Sequence, residues 1–248
     1  MKATYLSIAF AALIASGSVS ASHGEHSAAE TQKAVAAALA NPARADQAID
    51  DERRKAADVL AFAGVGPGDQ VIDLLPGQGY WTRIFTRIVG PKGHVYAEWP
   101  ASAAKYAAKP LPALQALKLP NVTAELLADE TPTAPKPVDL VWTVQNYHDL
   151  AEDGIAAANA AIFKALKPGG TYVVIDHADA VGSGRSGTST KHRIEPAVVK
   201  AEVLKAGFEF VAESTALQNP ADDHSLKVFD PQIKGHTDQF AYKFRKPV

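Results

Sequence analysis

Apolar and polar positions change their period along this chain, and the changes mark out its elements. From Val71 to Leu75 the apolar residues run almost unbroken, as in a strand covered on both faces. From Tyr80 to Val89 the spacing becomes helical, with Trp81, Ile84, Phe85 and Ile88 on one side. The two patterns then alternate. Strands are predicted at His94–Glu98, Val122–Leu126, Val138–Val144 and Thr171–Asp176. Helical material is predicted over Ala101–Lys118, with proline interruptions, and over Gly154–Leu166. Strand and helix in turn predict βαβ units and a parallel sheet with helices on both faces.

The flanks read differently. Ser22–Ala45 is Ala-rich and helix-prone, broken at Asn41-Pro42. Ile49–Ala63 predicts a second helix, with Ile49, Ala56, Leu60 and Ala63 on one face, ended by the Gly/Pro turn Gly64–Asp69. After Asp176 comes a Gly/Ser/Thr-rich loop, Ala178–His192, then a helix at Pro196–Ala206. Strands Phe208–Ser214 and Phe240–Arg245 are joined by a long polar segment, Ala216–Gln239, with no helix between them. That predicts an antiparallel pair at one edge. There is no internal repeat and no second domain. Residues 64–248 are expected to form one α/β domain, preceded by N-terminal helices over 22–63.

The first residues have the order of an export signal: Lys2, an apolar stretch Leu6–Ala15, then Val19-Ser20-Ala21 as a small-residue cleavage site. Residues 1–21 are therefore expected to be removed, leaving an exported, periplasmic chain with no integral membrane segment. The formal net charge is −2 without a basic block, so nucleic acid is not an expected partner. The absence of cysteine excludes disulfides, thiolate chemistry, Cys-ligated zinc and a lipid-modified cysteine.

Polar residues gather at the carboxyl ends of the predicted strands, the edge where open parallel sheets bind ligands. Strand one offers Asp73, strand two ends at Glu98, and Asp129 follows strand three. Strand four opens into Gln145-Asn146-Tyr147-His148-Asp149, and strand five ends in Asp176-His177. Gly77 and Gly79 allow close backbone approach beside a helix start. Glu98, about 25 residues after Asp73, is placed like an acid that bonds ribose hydroxyls. A dinucleotide-binding G-x-G-x-x-G fingerprint would need glycine at Thr82, which disfavours a nicotinamide-dependent oxidoreductase.

With these residues assembled, the chain resembles class I S-adenosylmethionine-dependent methyltransferases, in particular a bacterial group of exported, predicted methyltransferases. The general resemblance covers Asp69–Asp176. The closer one extends through HRIE (His192–Glu195), LKAGFEF (Leu204–Phe210), NPADDH (Asn219–His224) and TDQFAYKFRKP (Thr237–Pro247). The family's acid-x-Gly-x-Gly-x-Gly motif falls on Asp73, Leu75, Gly77 and Gly79, so Leu75 stands in place of the first glycine and Pro76 follows it. LKPGGTYVVID (Leu166–Asp176) matches the family's turn into strand five. The resemblance implies a single doubly wound, mostly parallel seven-stranded sheet, Rossmann-like, with an antiparallel last strand. It implies S-adenosylmethionine as cofactor. The implied contacts are Asp73, Pro76, Gly77, Gly79, Tyr80, Glu98, Trp99, Asp129 and the Gln145-Asn146-Tyr147 segment.

Methyl transfer is an in-line displacement that positioning can largely catalyse, with a base where the acceptor must lose a proton. His148, His177 and His192 are the candidate bases. Tyr80, Trp81, Trp99 and Tyr147 are placed to frame an apolar acceptor, and the helix carrying Asp50, Arg53 and Arg54 to cap the site. His148/Asp149, Asp176/His177, His192 and Asp222-Asp223-His224 also carry metal-ligating groups. They lack a tight ligand spacing, so a hydrogen-bonded polar network is preferred to a divalent metal. The function expected is methyl transfer to a small-molecule acceptor. The alternative is an exported binding protein that keeps the fold without turnover.

Overall fold

The structure is a computed structural model and describes residues 26–150 and 154–248. The export signal expected over residues 1–21 lies outside the described residues.

Seven strands form one sheet. They are β1 (Gln70–Leu74), β2 (His94–Trp99), β3 (Val122–Leu126), β4 (Val138–Val144), β5 (Leu166–His177), β6 (Glu209–Ser214) and β7 (Gln239–Arg245). Their order is β3-β2-β1-β4-β5-β7-β6. β1 to β5 pair in parallel, while β7 inserts between β5 and β6 and runs antiparallel to both. The expected antiparallel pair is present at one edge, with β6 as the outer strand and the last strand, β7, antiparallel to its neighbours.

Alternate residues of each central strand enter opposite cores, because side chains in a strand alternate faces. Val71, Leu140, Trp142, Val173 and Ile175 face helices α1 (Ala28–Leu39), α2 (Ala56–Ala63) and α3 (Tyr80–Val89). Ile72, Val141, Tyr172 and Val174 face α6 (Ile155–Ala165) and α8 (Pro196–Lys205); the short α4 (Ala104–Ala107) and α5 (Pro110–Ala116) precede α6, and the short α7 (Thr188–Lys191) precedes α8. A third, smaller core gathers Ala97, Trp99, Ala103, Ala107 and Leu114, with Leu75 packed against it. Among the described residues, no helix is long and apolar enough to cross a membrane.

Three local expectations are corrected. The helix expected over Ile49–Ala63 starts only at Ala56, because Lys55 takes a left-handed φ of 46°. A single helical turn at Ala48–Asp50 precedes it, and Ile49, expected on the buried face, is 87% exposed. The strand expected from Thr171 begins at Leu166. Leu166 pairs with Val138 across an irregularity that lets Lys167-Pro168-Gly169-Gly170 stay in the strand.

Candidate active site

The parallel strands bring their carboxyl ends to one edge, and a cleft of about 410 Å³ opens there. One wall is the loop after β1, the second is the end of β4, and the third is the segment between α1 and α2. Asp73, Pro76, Gly77, Tyr80, Gln145 and Asn146 line it, so six of the implied cofactor contacts come together.

The β1 loop carries a left-handed residue where the resembling family has its first glycine. Leu75 has φ 56°, so its backbone adopts a glycine-like conformation while its side chain joins the third core. A left-handed non-glycine residue costs about 1–2 kcal/mol and persists where packing holds it. Gly77, at φ 55°, has open space where a Cβ would stand. At Gly79, φ 73°, a Cβ would fall 2.9 Å from Leu114, so glycine there permits the close approach of α5.

Asp73 is buried at the cleft floor and accepts from the Thr82 hydroxyl at 2.6 Å. Burial pushes its carboxyl up to about 7, against the lowering effect of Thr82. Asn146 serves the frame: its amide donates to the carbonyls of Leu74, Leu75 and Val144, and its oxygen accepts from Thr143. It thereby fastens the end of β4 to the end of β1. Gln145 is left-handed at φ 59° and donates to Gln239 at 3.0 Å.

The third wall was foreseen only in part. Arg54 and Asp50, expected on a capping helix, do line the cleft, but from the irregular turns before α2; Gln47 beside them was not foreseen. These turns are held by Asp51, which takes a bidentate ion pair from the buried Arg44 and a 2.6 Å hydrogen bond from the Tyr80 hydroxyl. The Arg54 guanidinium lies 4.5 Å above the Tyr80 ring. Gln47 Oε1, Arg54 Nε and Trp81 Nε1 are all buried without a hydrogen-bond partner, and all three residues line this one cleft. Three of the ten such side-chain atoms among the described residues thus gather at one cleft, where the polar groups of a ligand would meet them.

Five implied contacts lie outside the cleft lining, Gly79 at the head of α3 among them. Glu98 is fully buried, and its two carboxylate oxygens accept from the Thr133 N–H at 3.3 Å each. Burial pushes it up to about 8. Trp99 belongs to the third core, and Asp129 is an exposed turn acid accepting from Thr131 N–H. Tyr147 is fully buried under α6 and α8, where its hydroxyl donates to Glu202 and accepts from Asn159.

The three histidines separate into two environments. His148 Nδ1 donates to Asp176 at 2.8 Å, and Asp176 also accepts from the backbone N–H groups of His148 and His177. His148 Nε2 faces His192 Nδ1 at 3.3 Å. Burial alone would lower the His148 pKa, but the charge and hydrogen bond of Asp176, with Asp149 adding to them, raise it above the ordinary histidine value. His177 is bonded to the Thr237 hydroxyl at 2.7 Å, and burial lowers it to about 4. It is therefore neutral and a weak base near pH 7. Asp222–His224 does not reach the cleft lining. Asp222 is buried against Arg193, and His224 bonds Asp238.

Solved structures share this fold. A methyltransferase from Aquifex aeolicus, described as dependent on S-adenosylmethionine, aligns with a TM-score of 0.56 and 17% identity, over 89% of this chain and 98% of its own. The cyclase SpnF aligns at 0.60 and 19% identity, over 84% and 86%. The N-methyltransferase NodS from Bradyrhizobium japonicum aligns at 0.55 and 14% identity, over 80% and 99%. The fold is that of class I methyltransferases. No family model matches the chain, and no curated protein matches it.

Proposed function

We propose that the chain transfers the methyl group of S-adenosylmethionine to a small-molecule acceptor. The observation that carries this reading is the set of unpartnered atoms around the cleft. Gln47 Oε1 is an acceptor suited to an ammonium group, and the Arg54 guanidinium is a donor suited to a carboxylate. The methionine end of the cofactor carries both groups, and the open face of Gly77 leaves room for it. Bound there, the cofactor supplies a methyl group on a sulfonium, ready for displacement. Glu98 is the residue we assign to the ribose hydroxyls, and engaging them requires the Thr133 N–H to give way.

The acceptor's nucleophile bonds the methyl carbon as the methyl–sulfur bond breaks, and a hydroxyl or amine acceptor must also shed a proton. His192 is the more exposed imidazole, so it meets that proton, with His148 and Asp176 behind it to stabilise the charge. His177 is unsuited to this task at neutral pH. Export through residues 1–21 belongs to the same proposal, and a mature N-terminus near Ser22, read by intact mass, would support it.

Calorimetric titration tests the reading. S-adenosylmethionine and S-adenosylhomocysteine are expected to bind and NAD is not. Arg54→Ala and Gln47→Ala are each expected to weaken binding at least about tenfold, the effect of losing a hydrogen bond to a charged group. No binding of either sulfur ligand at millimolar concentration would overturn it. A second reading, ligand binding without turnover, is favoured by Leu75, which stands where the resembling family has its first glycine. Tight binding with no methyl transfer across a broad acceptor panel would select it.

A further inference from the structure

We infer that His148, Asp149 and His192 form a binding site for a divalent first-row transition ion. Three ligand atoms converge: His148 Nε2, His192 Nδ1 and Asp149 Oδ1. Their separations are 3.3, 3.5 and 3.8 Å. A triangle with these sides has one interior point about 2 Å from all three corners, the bond length of such an ion to imidazole nitrogen and carboxylate oxygen. The atoms therefore already stand at ligand spacing.

Other features of the site act in the same direction. Asp176 accepts from the backbone N–H groups of His148 and His177 and meets His148 Nδ1 at 2.8 Å, so the ring proton sits on Nδ1 and Nε2 keeps its lone pair. This carboxylate–histidine arrangement behind a ligand is the usual support of a metal-bound imidazole. His192 is held at a left-handed φ of 57°, with the Phe229 ring centred 4.9 Å from its own. Strain of this kind persists where the surroundings fix a side chain for a purpose. The His148 side chain is 3% exposed, while His192 and Asp149 are 35% and 56% exposed. One side of the site is anchored in protein and the other opens to solvent, which leaves coordination positions for an outside ligand.

Two imidazoles and one carboxylate favour zinc, iron, cobalt or manganese over magnesium or calcium, which prefer all-oxygen sites. His148 and Asp149 follow Asn146, a cleft-lining residue, in the turn after β4, and none of the three ligands lines the cleft itself. The ion's role rests on the methyl-transfer reading, but its existence does not. In that role the ion would bind an acceptor oxygen and lower the pKa of its hydroxyl, and the His192–His148 proton relay belongs to the ion-free chain.

The test is titration of the chelator-treated full chain, without cofactor, with Zn²⁺ and Co²⁺. One equivalent of Zn²⁺ is expected to bind at micromolar or lower concentration, and Co²⁺ to give a visible ligand-field spectrum. His192→Ala and Asp149→Ala, both partly exposed and expected to fold, should each weaken binding at least tenfold and alter the Co²⁺ spectrum. His224→Ala should leave both unchanged. No binding below about 100 μM ion, or binding unchanged by His192→Ala and Asp149→Ala, would overturn the site. Because methyl transfer is not the readout, failure here leaves the cofactor titration above standing, and failure there leaves this site standing.

Discussion

Glu98 combines what sequence can and cannot disclose at the scale of one residue. Its place at the end of β2 follows from spacing alone. Its closure beneath Thr133, 35 residues away, depends on how the loop after β3 folds back, which no local pattern encodes. The left-handed backbones of Leu75 and Gln145 are equally hidden, since neither residue type favours such a conformation. The buried carboxyl of Glu98 has a measurable consequence. Its pKa rises from an ordinary 4.5 to about 8, so the folded chain holds a proton there that the unfolded chain releases. That contribution to stability is full below about pH 4.5 and is lost as pH rises toward 8. Asp73 acts in the same sense up to about pH 7. Glu98→Gln removes the titrating group. Its unfolding free energy should fall less between pH 5 and pH 9 than that of the parent, by on the order of 2–4 kcal/mol. Denaturant unfolding at the two pH values measures this, and equal slopes would show that Glu98 keeps an ordinary pKa.

At the scale of elements, periodicity disclosed the strands well because each central strand is buried on both faces. It disclosed the connections poorly. The segment Ala216–Gln239 reads as a polar loop, yet it is fastened to the loop carrying His192 by a buried ion pair. Arg193 donates to Asp222 at 2.8 Å, and both side chains are essentially inaccessible. Arg193 also donates to the carbonyls of Ala178 and Leu226, joining the end of β5 to both loops. Burial alone would raise the Asp222 pKa, but the N–H groups of Asp238 and His224, with Arg193, hold it below the ordinary carboxylate value. Stability from this group is therefore present above its ordinary pKa and is lost as pH falls through the depressed one. Asp222→Ala strands a buried guanidinium and should cost about 3–5 kcal/mol. It should also weaken Zn²⁺ binding through the His192 loop, whereas His224→Ala should not. Thermal unfolding of Asp222→Ala within about 1 kcal/mol of the parent would show that water reaches Arg193 and that the clamp is dispensable.

The whole molecule joins the N-terminal helices to the site more closely than their sequence suggests. Val35 and Ala38 of α1 are buried in the same core as Val59, Leu60, Ile84 and Phe85. Beyond α1, the buried Arg44 clasps Asp51, Asp51 accepts from Tyr80, and Tyr80 underlies Arg54. The cleft wall formed by Gln47, Asp50 and Arg54 thus depends on a chain of contacts that starts outside it. The sequence places Tyr80 and Arg54 at the site but shows no link from either to Arg44 or Asp51. A chain beginning at residue 46 therefore tests two consequences at once. Losing the burial of Val35 and Ala38 removes roughly 2–4 kcal/mol. Losing Arg44 leaves Asp51 with only the Tyr80 hydroxyl. The melting temperature should fall by about 5–15 °C, given 2–4 °C per kcal/mol for a chain of this size. At a temperature where the shortened chain is still folded, its affinity for S-adenosylmethionine should fall at least as far as that of Arg54→Ala. The metal site, built from the turn after β4 and the His192 loop and sharing no residue with the cleft lining, should keep its Zn²⁺ affinity. Retained cofactor affinity in the shortened chain would show that Arg54 is positioned without Arg44, and loss of Zn²⁺ binding as well would show that the two sites are not separately built.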